Sequence, residues 1–137
     1  MPDTTYTVEF ANEARLFRFV KGLSRTQALL LQAVFTYIET FGLVNLLNTE
    51  WSKHLGGGVF ELRLGKTTRH VANRFLEPDS PIVPNEKMLL RVFMANPNVF
   101  LFLVLSSYNK LADTSHRRQQ LEIQVARSIL RSWRPSN

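Results

Sequence analysis

Cysteine is absent from the chain. That excludes disulfides, thiolate metal sites and a cysteine nucleophile. Small secreted domains commonly depend on disulfides, so the composition favours the cytoplasm. Histidine is scarce. His54, His70 and His116 stand far apart with no ligand spacing between any two, which counts against a metal site. Long hydrophobic runs are missing as well. The most apolar stretch, VFLFLVL at 99–105, is far shorter than the roughly 20 residues of a membrane helix and reads as a buried strand. The N-terminal stretch MPDTTYTVEF lacks the basic start and apolar run of a signal peptide. There is no P-loop, no GxSxG and no pair of catalytic carboxylates. No cofactor, metal or membrane association is expected.

What is present is apolar mass and positive charge. The 137 residues suit one domain, and 45% of them are hydrophobic, ten Phe included, which is enough for one core. The formal net charge of +6 is unevenly spread: residues 1–50 carry a net of −1 and residues 51–137 a net of +7. A basic excess confined to part of a chain points to an anionic partner, with nucleic acid the first candidate. The alternative is a basic protein with a solvated surface and no such partner.

Hydrophobic periodicity divides the chain. Tyr6, Val8 and Phe10 alternate with polar residues and predict a first strand. Asn12 is a good N-cap for a short helix that stops at Gly22. Ser24 and Gln27 form a capping box, followed by Ala28, Leu31, Val34, Phe35 and Ile38 at helical spacing up to Gly42. A helical hairpin is therefore predicted over 12–41. The stretch 43–58 reads as a connector and 59–64 as a second strand. An extended loop is expected at about 65–87, whose first part can prolong the sheet through Val71 and Asn73. Residues 90–94 predict a third strand, Ala95–Asn98 a turn, and 99–108 a central strand covered on both faces. Thr114 or Ser115 caps a last helix. Its buried stripe is Ile123, Ala126, Leu130 and Trp133; Gln120, Gln124, Arg127, Arg131 and Arg134 form its exposed face. The fold class is α+β, a small antiparallel sheet packed against an N-terminal helical hairpin and a C-terminal helix.

Three patterns in this order resemble the RelE/HigB superfamily of bacterial toxins, closest to its HigB-like, phage-derived branch. They are KHLGGGVFELRLG, a glycine turn followed by an E-L-R strand; LLRVFMANPNVFLFLVLSSYNK, an R-V-F hairpin and apolar strand; and RRQQLEIQVARSIL, a closing helix. The resemblance spans about residues 6–133. It departs from the short members between Gly65 and Lys87, where they make a tight turn. It implies a RelE-like fold, ribosome-dependent cleavage of messenger RNA, and inhibition by a cognate antitoxin that often carries a helix-turn-helix domain. It also implies that the strands bring Arg63, Arg91, Tyr108 and Lys110 to one concave surface, with Arg91 in the place of a phosphate-binding arginine.

The chemistry of those residue types is consistent with that role. Arginine grips phosphate through two parallel charge-assisted hydrogen bonds. Tyrosine stacks on a base or donates its hydroxyl. Attack by an RNA 2′-hydroxyl needs a base, cations at phosphorus and an acid for the leaving oxygen. Glu61 is the nearest carboxylate for the base; the other reading makes Glu61 and Arg63 an ion pair on a solvated sheet face. His116 is either an acid–base group or an exposed surface histidine. Arg117 and Arg118 either hold RNA phosphate at the helix start or are simply solvated. Two further readings compete with the toxin: a non-catalytic RNA- or partner-binding module of the same fold, and a DNA-binding protein using the last helix. The missing helix-turn-helix spacing counts against the latter.

Overall fold

The computed structural model describes residues 5–80 and 83–135. Along these residues the elements are β1 (Thr7–Phe10), α1 (Glu13–Lys21), α2 (Arg25–Phe41), β2 (Ser52–Gly56), β3 (Val59–Thr67), α3 (Thr68–Phe75), β4 (Lys87–Asn98), β5 (Leu101–Asn109) and α4 (His116–Ser132). The architecture is α+β, a five-stranded sheet in the order β1-β5-β4-β3-β2 with helices flanking it. The sheet is mixed rather than antiparallel throughout. β1 runs parallel to β5, while β5-β4-β3-β2 form antiparallel pairs. The helical hairpin lies between the two edge strands in sequence and carries the chain from β1 at one edge to β2 at the other.

The caps form as the sequence predicts. Asn12 accepts from the Arg15 N–H, Ser24 and Gln27 close a full capping box, and Ser115 caps α4. Asp113 braces that last cap: its carboxylate accepts from both the N–H and the hydroxyl of Ser115, which holds its pKa below the usual value.

Two cores sandwich the sheet. On one face α2 and α3 bury Leu31, Val34 and Ile38 against Leu62, Leu90 and Val92. On the other, Ile123 and Ala126 of α4 pack on Phe93, Leu103 and Leu105. β5 is covered on both faces from Leu101 to Ser106, as its apolar run predicts.

Three expectations are corrected. The connector holds β2, a short edge strand paired with β3 through the glycine hairpin. Gly57 and Gly58 both take positive φ there, a tight-turn geometry that glycine adopts without strain. The expected loop at 65–87 is shorter. β3 continues to Thr67, and Val71 and Asn73 lie in α3 instead of a strand. Pro81 and Ile82, in the remaining part of that loop, lie outside the described residues. The third strand is also longer than predicted: β4 runs through Ala95–Asn98, so the turn falls at Val99 and Phe100.

Gly65 is needed in β3 because a Cβ there would collide with the Met88 carbonyl oxygen. On α4, Leu130 and Trp133 are only half-buried. Arg127 is not free either, since its Nη2 donates to the Leu55 carbonyl at 2.9 Å and ties the helix to β2.

Candidate functional site

Strand register builds the site. Arg63 of β3 pairs across the sheet with Arg91 of β4, and Arg91 with Tyr108 of β5. Residues directly opposite share a face, so Arg63, Arg91 and Tyr108 form one row over strands about 4.8 Å apart. Two like charges facing each other are destabilising in a sheet. One carboxylate compensates. Arg63 Nε donates to Glu61 Oε1 at 2.7 Å, and Gln119 of α4 donates to the other oxygen at 2.9 Å.

Glu61 is completely buried. The face it occupies is therefore not solvated; the first turns of α4 cover it. With each oxygen holding a donor, Glu61 acts as a brace behind Arg63.

Among the described residues Arg91 has no carboxylate of its own. Its Nη1 donates to the Leu90 carbonyl at 3.2 Å, and its Nε is buried without a partner. Burial, and then the nearby Arg63 charge, push its pKa below the ordinary arginine value against the pull of Glu61. An arginine stays a cation at neutral pH even so.

Tyr108 is 1% exposed, with its ring parallel to Phe93 and the Arg118 guanidinium 5.4 Å from its centroid. A covered ring offers no face to a base. Its hydroxyl, however, is buried and unpartnered. Burial raises its pKa above the ordinary value, outweighing the opposite pull of Arg91, so the hydroxyl stays protonated at neutral pH.

The other expected residues are placed less centrally. Lys110 lies just past β5, where its backbone N–H donates to Leu89 O at 2.8 Å, and its side chain is half-exposed. His116 and Arg117 are exposed at the start of α4. Of that trio only Arg118 turns inward, onto Tyr108 and toward Glu122, whose Oε2 is 3.3 Å from its Nε.

Four residues of the site escaped the sequence reading: Arg15, Arg18, Gln119 and Glu122. Arg15 Nη2 reaches both oxygens of the buried Glu122 at 2.9 and 3.2 Å, joining α1 to α4. Arg15 and Arg18, one turn apart on α1, line an open cleft of about 360 Å³ with Tyr108 and Arg118. Their spacing was a visible signal; a carboxylate buried at position 122 had none. A larger groove of about 630 Å³ lies over α2 and α3, lined by Leu29, Tyr37, Phe41 and Phe75. Among the described residues its one cation is Arg74, occupied by the Tyr37 hydroxyl and by the Tyr37 and Phe75 rings.

The result is an α+β scaffold that holds an arginine row and a neutral phenol beside a cationic cleft. No family model matches the chain, and no curated protein or solved structure matches it at a significant level. Among the described residues, no helix is long and apolar enough to cross a membrane.

Proposed function

We propose that this protein is the toxin of a type II toxin–antitoxin system, a metal-independent endoribonuclease that cuts messenger RNA on the ribosome. The observation that carries the reading is the in-register row Arg63–Arg91–Tyr108, in which Arg91 Nε and the Tyr108 hydroxyl are buried without partners. Buried polar groups are normally paired within the fold. Unpaired donors on one row support a ligand rich in acceptors, and RNA phosphate is such a ligand. The three sequence patterns of the RelE/HigB resemblance, and the cytoplasm that a cysteine-free composition favours, support the same reading.

In the proposed reaction the RNA 2′-hydroxyl gives its proton to solvent water and attacks phosphorus, the P–O5′ bond breaks, and a 2′,3′-cyclic phosphate and a protonated 5′-hydroxyl result. Arg91 and Arg63 hold the phosphoryl oxygens as charge builds on them. Preorganised cations of this kind act where charge develops, which is where electrostatic catalysis is strongest. Tyr108, kept neutral by burial, donates to the phosphate or to the leaving oxygen. Glu61 fixes the direction of Arg63 and takes no proton. Lys110, Arg117 and Arg118 add positive charge around the row, with His116 exposed beside them. The inhibiting partner in this reading is an antitoxin, often one with a helix-turn-helix domain.

A second reading, a non-catalytic RNA- or partner-binding module, is favoured by one feature: both oxygens of Glu61 are engaged, so the row itself holds no free base. Incorporation of labelled amino acids in cells separates the two readings. A toxin arrests incorporation when expressed alone, and co-expression of the gene next to it restores it. Unchanged incorporation with the protein present and folded favours the binding module.

A further inference from the structure

We infer that the cleft between α1 and the end of β5 is a second phosphate subsite, which holds a neighbouring phosphodiester of single-stranded RNA bound along the arginine row. The inference rests on the RNA-binding reading and adds to it Arg15 and Arg18, on a helix outside the row.

Charge is the first argument. Arg15, Arg18 and Arg118 converge on the cleft. One carboxylate, Glu122, serves two of them, with Arg15 at 2.9 Å and Arg118 at 3.3 Å. Arg18 has no hydrogen-bond or ion-pair partner among the described residues and is exposed. Asp113 also lies near Arg118, so three guanidiniums against two carboxylates leave a net charge of about +1 for an anion. Planar guanidinium forks suit phosphate oxygens better than a point charge does.

The second argument is independent of charge. The Tyr108 hydroxyl, on a residue 1% exposed, has no partner, and Tyr108 lines this cleft. Tyr108 is also the last member of the row, so it is common to both places. An RNA strand lying on Arg63 and Arg91 runs next into the cleft. The Arg118 Nε is only loosely held, being near Glu122 but making no hydrogen bond to it. Its guanidinium is packed over the Tyr108 ring, which keeps that unpaired donor beside the cleft.

Ser107 and Asn109 supply further polar groups at the rim. The volume, about 360 Å³, lies within the range of sites for small ligands, which is room for a phosphate and part of its sugar.

The test is fluorescence anisotropy of a labelled single-stranded uridine decamer with the full chain, across a salt series. Arg18→Ala is the informative variant, because Arg18 is exposed and supports no packing. It should weaken binding by about tenfold, the usual effect of one charge-assisted contact. It should also lower the salt slope by about 0.7, the counterion release of one phosphate on a single strand. Arg25→Ala, an exposed arginine on α2, serves as the control and should leave both unchanged. In cleavage on ribosomes, Arg18→Ala should raise KM with kcat kept, whereas Arg91→Ala should lower kcat. Arg18→Ala and Arg18→Glu that both bind like the wild type would overturn the subsite while leaving the toxin reading intact. A wild type that binds RNA, is weakened by Arg18→Ala and cuts nothing supports the subsite and removes the cleavage reading. Displacement of RNA by inorganic phosphate at matched ionic strength, as readily as by unlabelled RNA, overturns the diester assignment. No RNA binding at any salt concentration overturns both.

Discussion

The Tyr108 hydroxyl is buried without a partner, and such a group costs about 1–3 kcal/mol. Tyr108→Phe keeps the ring against Phe93 and removes the orphaned group. The expected result is a gain of about 1 kcal/mol, read as a higher urea midpoint at unchanged m-value. A loss of stability would show that the hydroxyl is satisfied within the fold. Its pH behaviour follows from burial, which raises its pKa above the ordinary value near 10. The folded state then holds the proton more tightly than the unfolded chain. The associated stability is fully present below about pH 10 and is lost as pH rises through the raised folded value. In Tyr108→Phe this alkaline loss should be smaller.

A different residue-scale balance holds α1 to α4. Arg15→Ala strands most of the charge on Glu122, which is 2% exposed. The expected cost is about 2–3 kcal/mol, below the 3–5 typical of a broken buried pair, because Arg118 remains nearby. Arg15→Ala combined with Glu122→Leu should recover most of that loss in urea denaturation. No recovery would mean that Arg15 acts through packing rather than through the carboxylate.

At the scale of elements, α4 bears on the sheet through its middle. Ile123 and Ala126 are buried there, while Leu130 and Trp133 toward its C-terminal end are half-exposed. Ile123→Ala should therefore cost about 2–5 kcal/mol, the range for a core truncation. Leu130→Ala should cost about 1–2 kcal/mol, since less of its surface leaves water. Equal costs in thermal unfolding would contradict this tilt of the helix.

Elements with strong local signals were legible in the sequence. α1 and α2 announce themselves through Asn12, the Ser24–Gln27 box and the two glycine stops, all of which act within a few residues. β2 was not legible, because an exposed edge strand has little hydrophobic pattern to show. α3 was missed because Val71, Asn73 and Phe75 fit a strand alternation as well as a helix. Its Thr67 cap and the Val71–Ala72–Phe75 spacing were the signals that decide for helix. The row was legible as residue types on strands. Its burial was not, since the cover over Glu61 comes from Gln119, far away in sequence. Arg127 was misplaced for the same reason: its partner is a backbone carbonyl on β2, an element the sequence did not reveal.

Across the whole molecule the charge is divided. The chain carries +6 overall, and residues after 50 carry all of the excess. Folding does not spread that charge evenly. It brings Arg15 and Arg18, from the near-neutral first part, beside Arg118 and Tyr108, the register partner of Arg91. Cations from both parts therefore serve one surface, with the buried Glu61 and Glu122 beneath it and Asp113 near Arg118. Binding to RNA through such a surface should weaken steeply with salt, as counterions are released. The central claim is that this surface cuts messenger RNA, with Arg91 stabilising the transition state. Primer extension on messenger RNA from translating ribosomes tests it most directly, comparing wild type with a folded Arg91→Ala variant. The wild type should yield discrete cleavage ends, and the variant about 100- to 1,000-fold slower cleavage, the effect of losing one preorganised contact. Equal cleavage by both proteins, or none by the wild type, would contradict the claim.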